Sequence, residues 1–337
     1  MTTVRQLARI LNVSPSSISR ALTGAPGVSA QLRERIISLA KEYQYRPNRL
    51  TQRLFSGKSG ILGFIANEIH VEYTGFVFEG ACEEALQDGF FVLPMNTHGS
   101  PEEVQVILHK LIEIKVEGII LANYWDSPLT TEQLLDLRGR DIPVVGLNWL
   151  ASEIPIDRVL IDEHQLADVA ITRLWELGHR EVAICGVWTP RRALYHRSQC
   201  LQQTVSRLMG SSVRQIDAEM QESMQAFFES PRRETAVIGC SDGIAAKLMR
   251  FAHDARTVIP QDLSVLGCGN SSFCEKCIPP LSSIDEAPLD IGRAACRLLK
   301  QRITTPLGKN ESPSTRTVPV RMIERESYTH PKLHHTR

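Results

Sequence analysis

The sequence contains 337 residues, of which 42% are hydrophobic, and its 38 basic side chains are balanced by 38 acidic ones. A chain of this length can bury a sizeable core in two or three domains, and its zero net charge indicates no class of partner. No apolar run approaches the ~20 residues needed to span a bilayer, and the first twenty residues lack the apolar stretch of a signal peptide. We therefore expect a cytoplasmic protein without a membrane partner.

Basic charge is concentrated at the amino terminus. Residues 1–60 carry ten basic and two acidic side chains, whereas the remaining residues carry 28 basic and 36 acidic ones. A basic segment on an acidic body is typical of a region that binds a polyanion, although a solvated basic face would have the same composition. The choice between the two depends on the elements that this segment forms.

Three short helices are predicted within the basic segment. Apolar residues at positions 4, 7, 8 and 11 have the spacing of one helix face, and Thr3 can cap this helix. Asn12 tolerates a left-handed turn, and Ser14 then caps a second helix over 15–22, which begins with a proline. Glycine and proline at 24–27 separate it from a third helix. Two short helices joined by a tight turn and braced by a third form a helix-turn-helix unit.

The second helix carries the candidate DNA-binding side chains of this unit. Ser14, Ser16 and Ser17 lie at its start, where their hydroxyls can reach phosphates or base edges in the major groove. Arg20 lies one turn further on, and its guanidinium can bind O6 and N7 of guanine. A three-helix bundle without a ligand would show the same apolar spacing but would not need the basic charge.

A short hinge is predicted between the helical head and the rest of the chain. Pro47 can begin a short helix that a glycine- and serine-rich stretch at 56–60 ends. Asn48 and Arg49 are candidate DNA contacts, and Leu54 could insert between base steps in the minor groove. A disordered linker with one stray leucine is the alternative, and the pattern alone favours it.

The remainder of the chain has the alternating pattern of an α/β fold. Short apolar runs of buried-strand type alternate with helical stretches, which is typical of parallel sheets covered on both faces. The predicted strands span residues 61–66, 90–93, 118–121, 143–147, 158–161, 182–185, 236–239 and 264–266.

Candidate ligand-binding residues follow these strands, because ligands of such sheets bind at the carboxyl ends of the strands. Amide, carboxylate and aromatic side chains at these positions suit a polyhydroxylated ligand, although each could be an ordinary loop residue. The candidates are Asn67, Tyr124, Trp149, Trp188, Arg197, Asp242 and Asn270.

The chain resembles the lactose/galactose repressor (LacI/GalR) family of transcriptional regulators along nearly its whole length. The segment 4–22, the PNRL at 47–50, Leu54 and the SGKSG-ILGFI junction carry the resemblance at the amino terminus. Landmarks of the same family follow in order: VEGIIL (116–121), IPVVGLN (142–148), ELGHREVAIC (176–185), SDGIAA (241–246), IPQDLSVLG (259–267), IPPLSSI (278–284) and RES (325–327).

The resemblance implies a fold and a domain organisation. The expected fold is an N-terminal all-α helix-turn-helix DNA-binding domain followed by an α/β, type I periplasmic-binding-protein-like sensor domain with two lobes. The chain should cross between the lobes near 157–162, 284–288 and 316–320. The implied domains are a DNA-binding domain (1–46), a hinge (47–60), a sensor and dimerisation domain (61–330) and a tail (331–337), with lobe 1 at 61–157 and 288–317 and lobe 2 at 162–284 and 320–330.

The resemblance also implies roles for particular residues. The recognition helix corresponds to 15–22, and the minor-groove leucine corresponds to Leu54, which favours the wedge over the linker. Arg197 stands where the family has an effector-binding arginine, but Cys200 replaces the glycine that follows it there. The family's paired aspartates after the 264–266 strand are replaced by Gly269 and Asn270. The resemblance implies that the effector is a sugar or sugar derivative, and these departures from the family pattern leave a non-sugar effector open.

Cysteines and paired carboxylates offer other chemistry. Most of the eight cysteines lie in apolar runs, as reduced thiols of a cytosolic protein do. Cys274 and Cys277 have metal-ligand spacing, but without a second such pair we expect surface-loop thiols and no metal or other cofactor. The adjacent pairs at 83–84 and 102–103 are expected to be solvated charges on helices.

The predicted function is that of a homodimeric regulator of transcription, which we expect to act as a repressor. The helical heads would read a near-palindromic, double-stranded operator, and a small molecule between the lobes would control the affinity. We expect no enzymatic activity. The alternative is a sugar-binding receptor or a carbohydrate-active enzyme that does not bind DNA.

Overall fold

The computed structural model describes residues 3–45, 58–122, 129–147, 156–189, 194–210, 212–229, 231, 234–308 and 311–332. The chain divides into two compact units, Met1–Gly60 and Ile61–Arg337. Five predicted contact residues lie outside the described residues: Asn48, Arg49, Leu54, Tyr124 and Trp149. In the described part of the chain, no helix combines the length and the apolar character needed to cross a membrane.

The first unit contains the three expected helices, α1 (Val4–Leu11), α2 (Pro15–Thr23) and α3 (Ala30–Glu42). Thr3 and Gln6 form a capping box on α1, because the Gln6 N–H donates to Thr3 Oγ1 and the Thr3 N–H donates to Gln6 Oε1. Asn12 ends α1 in the left-handed conformation, with φ of 52°. This cap turns the chain at once into α2.

A small apolar core holds the three helices of the first unit together. Leu7 of α1, Ile18 of α2 and Ile36 of α3 are completely buried in it. These positions recur at helical spacing, so each helix turns one apolar stripe inward and leaves its polar face to solvent. The exposed face of α2 includes Ser16 and Arg20.

The second unit contains two six-stranded sheets, each forming a lobe. The first sheet has the order β11-β5-β4-β3-β1-β2, with all neighbours parallel. Its strands are β1 (Ile61–Ala66), β2 (Phe91–Asn96), β3 (Gly118–Ala122), β4 (Val144–Leu147), β5 (Asp157–Ile161) and β11 (Thr315–Val318). Its helices are α4 (Glu72–Gln87), α5 (Pro101–Glu113), α6 (Thr131–Gly139) and α11 (Pro288–Thr304).

The second sheet has the order β12-β10-β9-β8-β6-β7 and is parallel except for the pair β10–β12. Its strands are β6 (Val182–Gly186), β7 (Arg214–Asp217), β8 (Ala236–Gly239), β9 (Ser264–Cys268), β10 (Ser282–Asp285) and β12 (Arg321–Ile323). Its helices are α7 (Glu163–Glu176), α8 (Tyr195–Met209), α9 (Gln221–Glu229) and α10 (Asp242–Asp254), and a short 3₁₀ helix spans Ser272–Lys276.

The chain passes between the lobes three times, from β5 to α7, from β10 to α11 and from β11 to β12. All eight predicted strands are present, with ends that differ by up to three residues. The pattern missed β7, β10, β11 and β12, which are short. Three residues of β11 are exposed, so this edge strand has no apolar run to reveal it.

Two helices of lobe 1 approach each other unusually closely. A Cβ atom on Gly80 of α4 would collide with the carbonyl of Leu289, and one on Gly292 of α11 would collide with the carbonyl of Val77. Only glycine allows this contact between backbones. The contact anchors α11, the first helix after the second crossing, against the lobe.

Candidate functional site

The start of α2 presents a cluster of hydroxyl groups. The Ser14 hydroxyl caps the helix by accepting a hydrogen bond of 3.1 Å from the Ser17 N–H. The hydroxyls of Ser16 and Ser17 lie 2.7 Å and 2.9 Å from it. Because a helix N-terminus carries partial positive charge and free N–H groups, this end of α2 is suited to a phosphate or a base edge.

Arg20 lies on the exposed face of the same helix. Its side chain packs over Gly27, where an added Cβ would lie 3.3 Å from one Nη atom. The loop beneath it is held by Arg33, which donates a 2.6 Å hydrogen bond to the carbonyl of Ala25. The predicted DNA-contacting residues of α2 therefore share one accessible helix end and face.

A cleft of about 1440 Å³ lies between the carboxyl edges of the two sheets. Its walls include residues that directly follow β1, β2, β5, β8, β9 and β10, together with the start of α8. Four of the predicted effector-binding residues line it: Asn67, Arg197, Asp242 and Asn270.

Arg197 is held by two carboxylates within the cleft wall. Its Nε and one Nη donate to Glu163 at 2.8 Å and 2.9 Å, and its other Nη donates to Glu286 at 2.6 Å and to the carbonyl of Cys240 at 3.1 Å. Burial disfavours the charged guanidinium, but Glu163 and Glu286 outweigh it and hold the pKa of Arg197 well above its usual value. Arg197 thus joins residues next to two of the lobe crossings, since Glu163 follows β5 and Glu286 follows β10.

Asp242 is 3% exposed, and its carboxylate accepts hydrogen bonds from protein groups. One oxygen accepts from the N–H and hydroxyl of Ser271 at 2.7 Å and 2.8 Å, and the other accepts from the Ser283 hydroxyl at 2.5 Å. Asn270, whose φ is 51°, accepts a 2.8 Å hydrogen bond from Arg325. Both residues therefore shape the rim of the cleft through internal hydrogen bonds.

Asn67 and Trp188 occupy different surroundings. Asn67 lines the cleft and accepts a 3.2 Å hydrogen bond from the hydroxyl of Thr97. Trp188 is not among the described residues that line it; its ring packs on the core, and its Nε1 donates to the carbonyl of Ile216 at 3.1 Å. The indole is positioned by this bond to β7, a strand that the sequence pattern did not reveal.

Two further groups in or beside the cleft were not predicted from the sequence. The first is a bridge between the lobes, in which Glu72 of α4 accepts hydrogen bonds from the N–H and hydroxyl of Ser272 at 2.6 Å and 2.8 Å. The second is a cluster of His164, His196 and Cys200, whose donor atoms all lie within 4.8 Å of one another. The i,i+4 spacing of His196 and Cys200 was a sequence signal for the cluster, whereas nothing local pointed to its third member.

Two sequence expectations on side-chain exposure are wrong. Cys274 is completely buried rather than a surface thiol, and burial, with Asp242 nearby, raises its pKa to about 12. Glu84 is 7% exposed rather than solvated, because Arg297 and Lys300 each bind it at 2.8 Å. Burial alone would raise the pKa of Glu84, but these two cations lower it overall. All eight cysteines are free thiols, of which six are buried and two, Cys82 and Cys277, are partly buried.

Comparison with known proteins gives two family matches. Residues 3–48 match the family described as bacterial regulatory proteins, lacI family, and residues 171–328 match the periplasmic binding protein-like domain. Among curated relatives, the HTH-type transcriptional regulator KdgR of Bacillus subtilis is 25% identical over 97% of both chains. The ribose operon repressor of Haemophilus influenzae is also 25% identical, over 97% of this chain and 98% of its own.

Solved structures show the same fold. The lac repressor dimer bound to operator and the anti-inducer ONPF has a TM-score of 0.78 at 20% identity, with 97% of this chain and 99% of that chain covered. A LacI family regulator from Enterococcus faecalis with bound ribose has a TM-score of 0.67 at 25% identity, with 81% of this chain and all of that chain covered. The expected combination of a helix-turn-helix head with a two-lobed periplasmic-binding-protein-like body is thereby confirmed.

Proposed function

We propose that this chain, whose residues 3–48 match the lacI family of bacterial regulatory proteins, is a homodimeric repressor controlled by a neutral, polyhydroxylated ligand. The ligand binds in the cleft between the lobes and changes the affinity of the protein for a near-palindromic operator. The observation that carries this proposal is the cleft itself, which is walled by strand ends of both lobes and by residues of the lobe crossings. A ligand there contacts the segments about which the lobes can rotate.

The DNA-binding part of the proposal rests on α2. Ser14, Ser16 and Ser17 gather hydroxyls at its start, and Arg20 extends from its exposed face. In a major groove, such a helix end binds phosphate and base edges, and the arginine discriminates guanine. Asn48, Arg49 and Leu54 complete the proposed contacts, with Leu54 as a minor-groove wedge between two symmetry-related hinges.

The charge of the cleft supports a neutral ligand. Seven carboxylates and three guanidinium groups line its described part, so an anionic ligand meets a net negative wall. Each of the three guanidinium groups is already bound by a carboxylate. The pairs are Arg197 with Glu163 and Glu286, Arg293 with Glu83 and Asp290, and Arg321 with Asp285.

The chemistry of relatives agrees with this ligand class. Ribose is bound in one structure that this chain resembles, and cellobiose is bound in another, named transcriptional regulator CelR, with a TM-score of 0.65. Both ligands are neutral and rich in hydroxyl groups. Acceptor oxygens such as those of Asn67 and Glu68 on the cleft wall suit hydroxyl donors. Tyr124 and Trp149 complete the proposed sugar-binding set, since aromatic rings stack on sugar faces.

The test uses the full-length chain. Selection from a library of genomic fragments should yield duplexes that the protein binds better than random DNA, with steep salt dependence. A thermal-shift screen should then find neutral sugars that raise the melting temperature, whereas their phosphate esters should not. A stabilising sugar should change the affinity for the selected duplex.

Leu54→Ala separates the two halves of the proposal. This variant should lose affinity for the selected duplex while its response to the sugar in the thermal-shift assay stays unchanged. If no genomic duplex is preferred over random DNA, with or without sugars, the regulator proposal is wrong. If sugar phosphates stabilise the protein and neutral sugars do not, the ligand class is wrong.

A further inference from the structure

We propose that His164, His196 and Cys200 bind a divalent transition-metal ion of the zinc class on the lobe 2 side of the effector cleft. The Cys200 Sγ lies 3.6 Å from His196 Nε2 and 4.0 Å from His164 Nε2. No pair of the three donor atoms is more than 4.8 Å apart. This is the one such cluster of three donors among the residues that the structure describes.

The distances fit tetrahedral zinc. With Zn–S bonds of about 2.3 Å and Zn–N bonds of about 2.0 Å, the sulfur and a nitrogen ligand stand about 3.5 Å apart. The separation between Cys200 and His196 already has this value within a tenth of an ångström, and the separation between Cys200 and His164 exceeds it by about half an ångström, so His164 needs a shift of at least that size. His164 can supply it, because its side chain is exposed at the first turn of α7.

The fold holds the three donors in place. His196 and Cys200 are four residues apart on α8 and therefore lie on one helix face. The face packs against α7, which carries His164, and the two imidazole rings meet edge to face with centroids 6.1 Å apart. The site thus needs two helices that already pack together and requires no loop to close over it.

The donor set selects the kind of ion. Two imidazoles and one thiolate suit zinc and its borderline-soft neighbours, whereas magnesium and calcium prefer oxygen ligands. Cys200 binds as the thiolate, and its proton passes to solvent when the metal–sulfur bond forms.

Three protein ligands leave one position of a tetrahedral ion open. His196 lines the cleft, so this position is accessible to water or to a hydroxyl of the cleft ligand. The ion would also fasten the first turn of α7, which directly follows the crossing from β5, to α8. Metal and cleft ligand would then bind to the same wall, next to the same lobe crossing.

The test is a titration of metal-free, full-length protein with Co²⁺ and then with Zn²⁺. We expect one Co²⁺ per chain, with the ultraviolet charge-transfer band of a cobalt–thiolate bond and the visible bands of a tetrahedral ion, and stoichiometric displacement by Zn²⁺. Cys200→Ala should lose the charge-transfer band. His164→Gln should weaken binding by about 100-fold or more, since even residues that only support a metal ligand contribute 10- to 100-fold.

Two matched variants serve as controls. His109→Gln changes an exposed histidine on α5, and Cys277→Ala changes a half-buried thiol outside the cluster. Neither should alter cobalt binding. His164 is exposed, so its variant folds even if Cys200→Ala proves unstable. Absence of tetrahedral cobalt overturns the proposal, as does a band that survives Cys200→Ala and His164→Gln or that disappears in Cys277→Ala.

Discussion

Replacing Arg197 by methionine tests whether this arginine primarily holds the protein together. The methionine fills most of the volume but leaves the carboxylates of Glu163 and Glu286 without their guanidinium. The three side chains are 6%, 18% and 9% exposed, so solvent cannot replace the lost partner fully. Removing one partner of a buried ion pair costs about 3–5 kcal/mol. We expect the main thermal transition of the full-length protein to fall by roughly 10 °C.

A matched control lies on the same helix. Arg207 of α8 pairs with Asp168, but these side chains are 57% and 51% exposed. Arg207→Met should therefore cost about 0–1 kcal/mol, the range of surface ion pairs. The double variant Arg197→Met with Glu286→Gln should recover part of the loss, because it removes one of the two uncompensated charges.

Differential scanning calorimetry of the wild type, the two single variants and the double variant tests whether the ion pairs of Arg197 are structural. If Arg197→Met melts no lower than Arg207→Met, the ion pairs are not structural, and the reasoning from burial is refuted. If Arg197→Met instead keeps its stability and loses its response to a cleft sugar, the arginine is an effector ligand, as the family resemblance implied.

Three further predictions concern the bridge between Glu72 and Ser272, the helical head and the loss of stability at acid pH. Glu72→Ala removes two hydrogen bonds to Ser272, worth about 1–2 kcal/mol at this exposed position, and should raise amide exchange at residue 272 about tenfold in hydrogen–deuterium exchange. Unchanged exchange would show that this bridge is not formed in solution. Arg20→Ala should cost about 1–3 kcal/mol of base discrimination, seen as a relaxed preference in competition binding between the selected duplex and its guanine variants; an equal loss on every duplex would mean a phosphate contact instead. Burial raises the pKa of Asp157, but hydrogen bonds from partners that include Arg302 outweigh it, so the pKa is lowered overall. The stabilisation by the ionised Asp157 is present above the unfolded-state pKa and is lost as the pH falls below about 4. The free energy of unfolding of Asp157→Asn, measured with urea, should therefore fall less steeply in that pH range. An equally steep fall would place the titrating group elsewhere.

The helical head and the buried strands could be predicted because their signals are local. Thr3 and Ser14 each precede an apolar helical pattern, and each side chain accepts the capping hydrogen bond expected of it. The strand Ala236–Gly239 is an apolar run between polar residues, and its ends are as predicted. By contrast, β10 begins with two serines. Both serines are buried, and their polar groups find partners within the fold: the Ser282 N–H donates to Ser327, and the Ser283 hydroxyl donates to Asp242. A pattern of apolar residues cannot reveal a strand of this kind.

The ion-pair partners of Arg197 could only be identified in three dimensions. Its partners, Glu163 and Glu286, lie 34 and 89 residues away in the sequence. Each carboxylate follows a strand end and would pass for a ligand contact if it were considered alone. The same limit applies to the histidine–cysteine cluster, because His164 is 36 residues from Cys200 and reaches it only through the packing of two helices.

The ion pairs at the lobe crossings constrain how the cleft can open. Arg197 pairs with Glu163, which follows the first crossing, and with Glu286, which lies in the second crossing. Arg321, at the end of the third crossing, pairs with Asp285 of the second crossing at 2.8 Å. All three crossings are thus joined on the lobe 2 side. Breaking the buried pairs of Arg197 with Glu163 and Glu286 is costly, whereas the bridge between Glu72 and Ser272 is exposed. Opening should therefore rotate lobe 1 about an intact set of crossings and separate the exposed bridge first, and a ligand shifts this equilibrium only through its different affinity for the two arrangements.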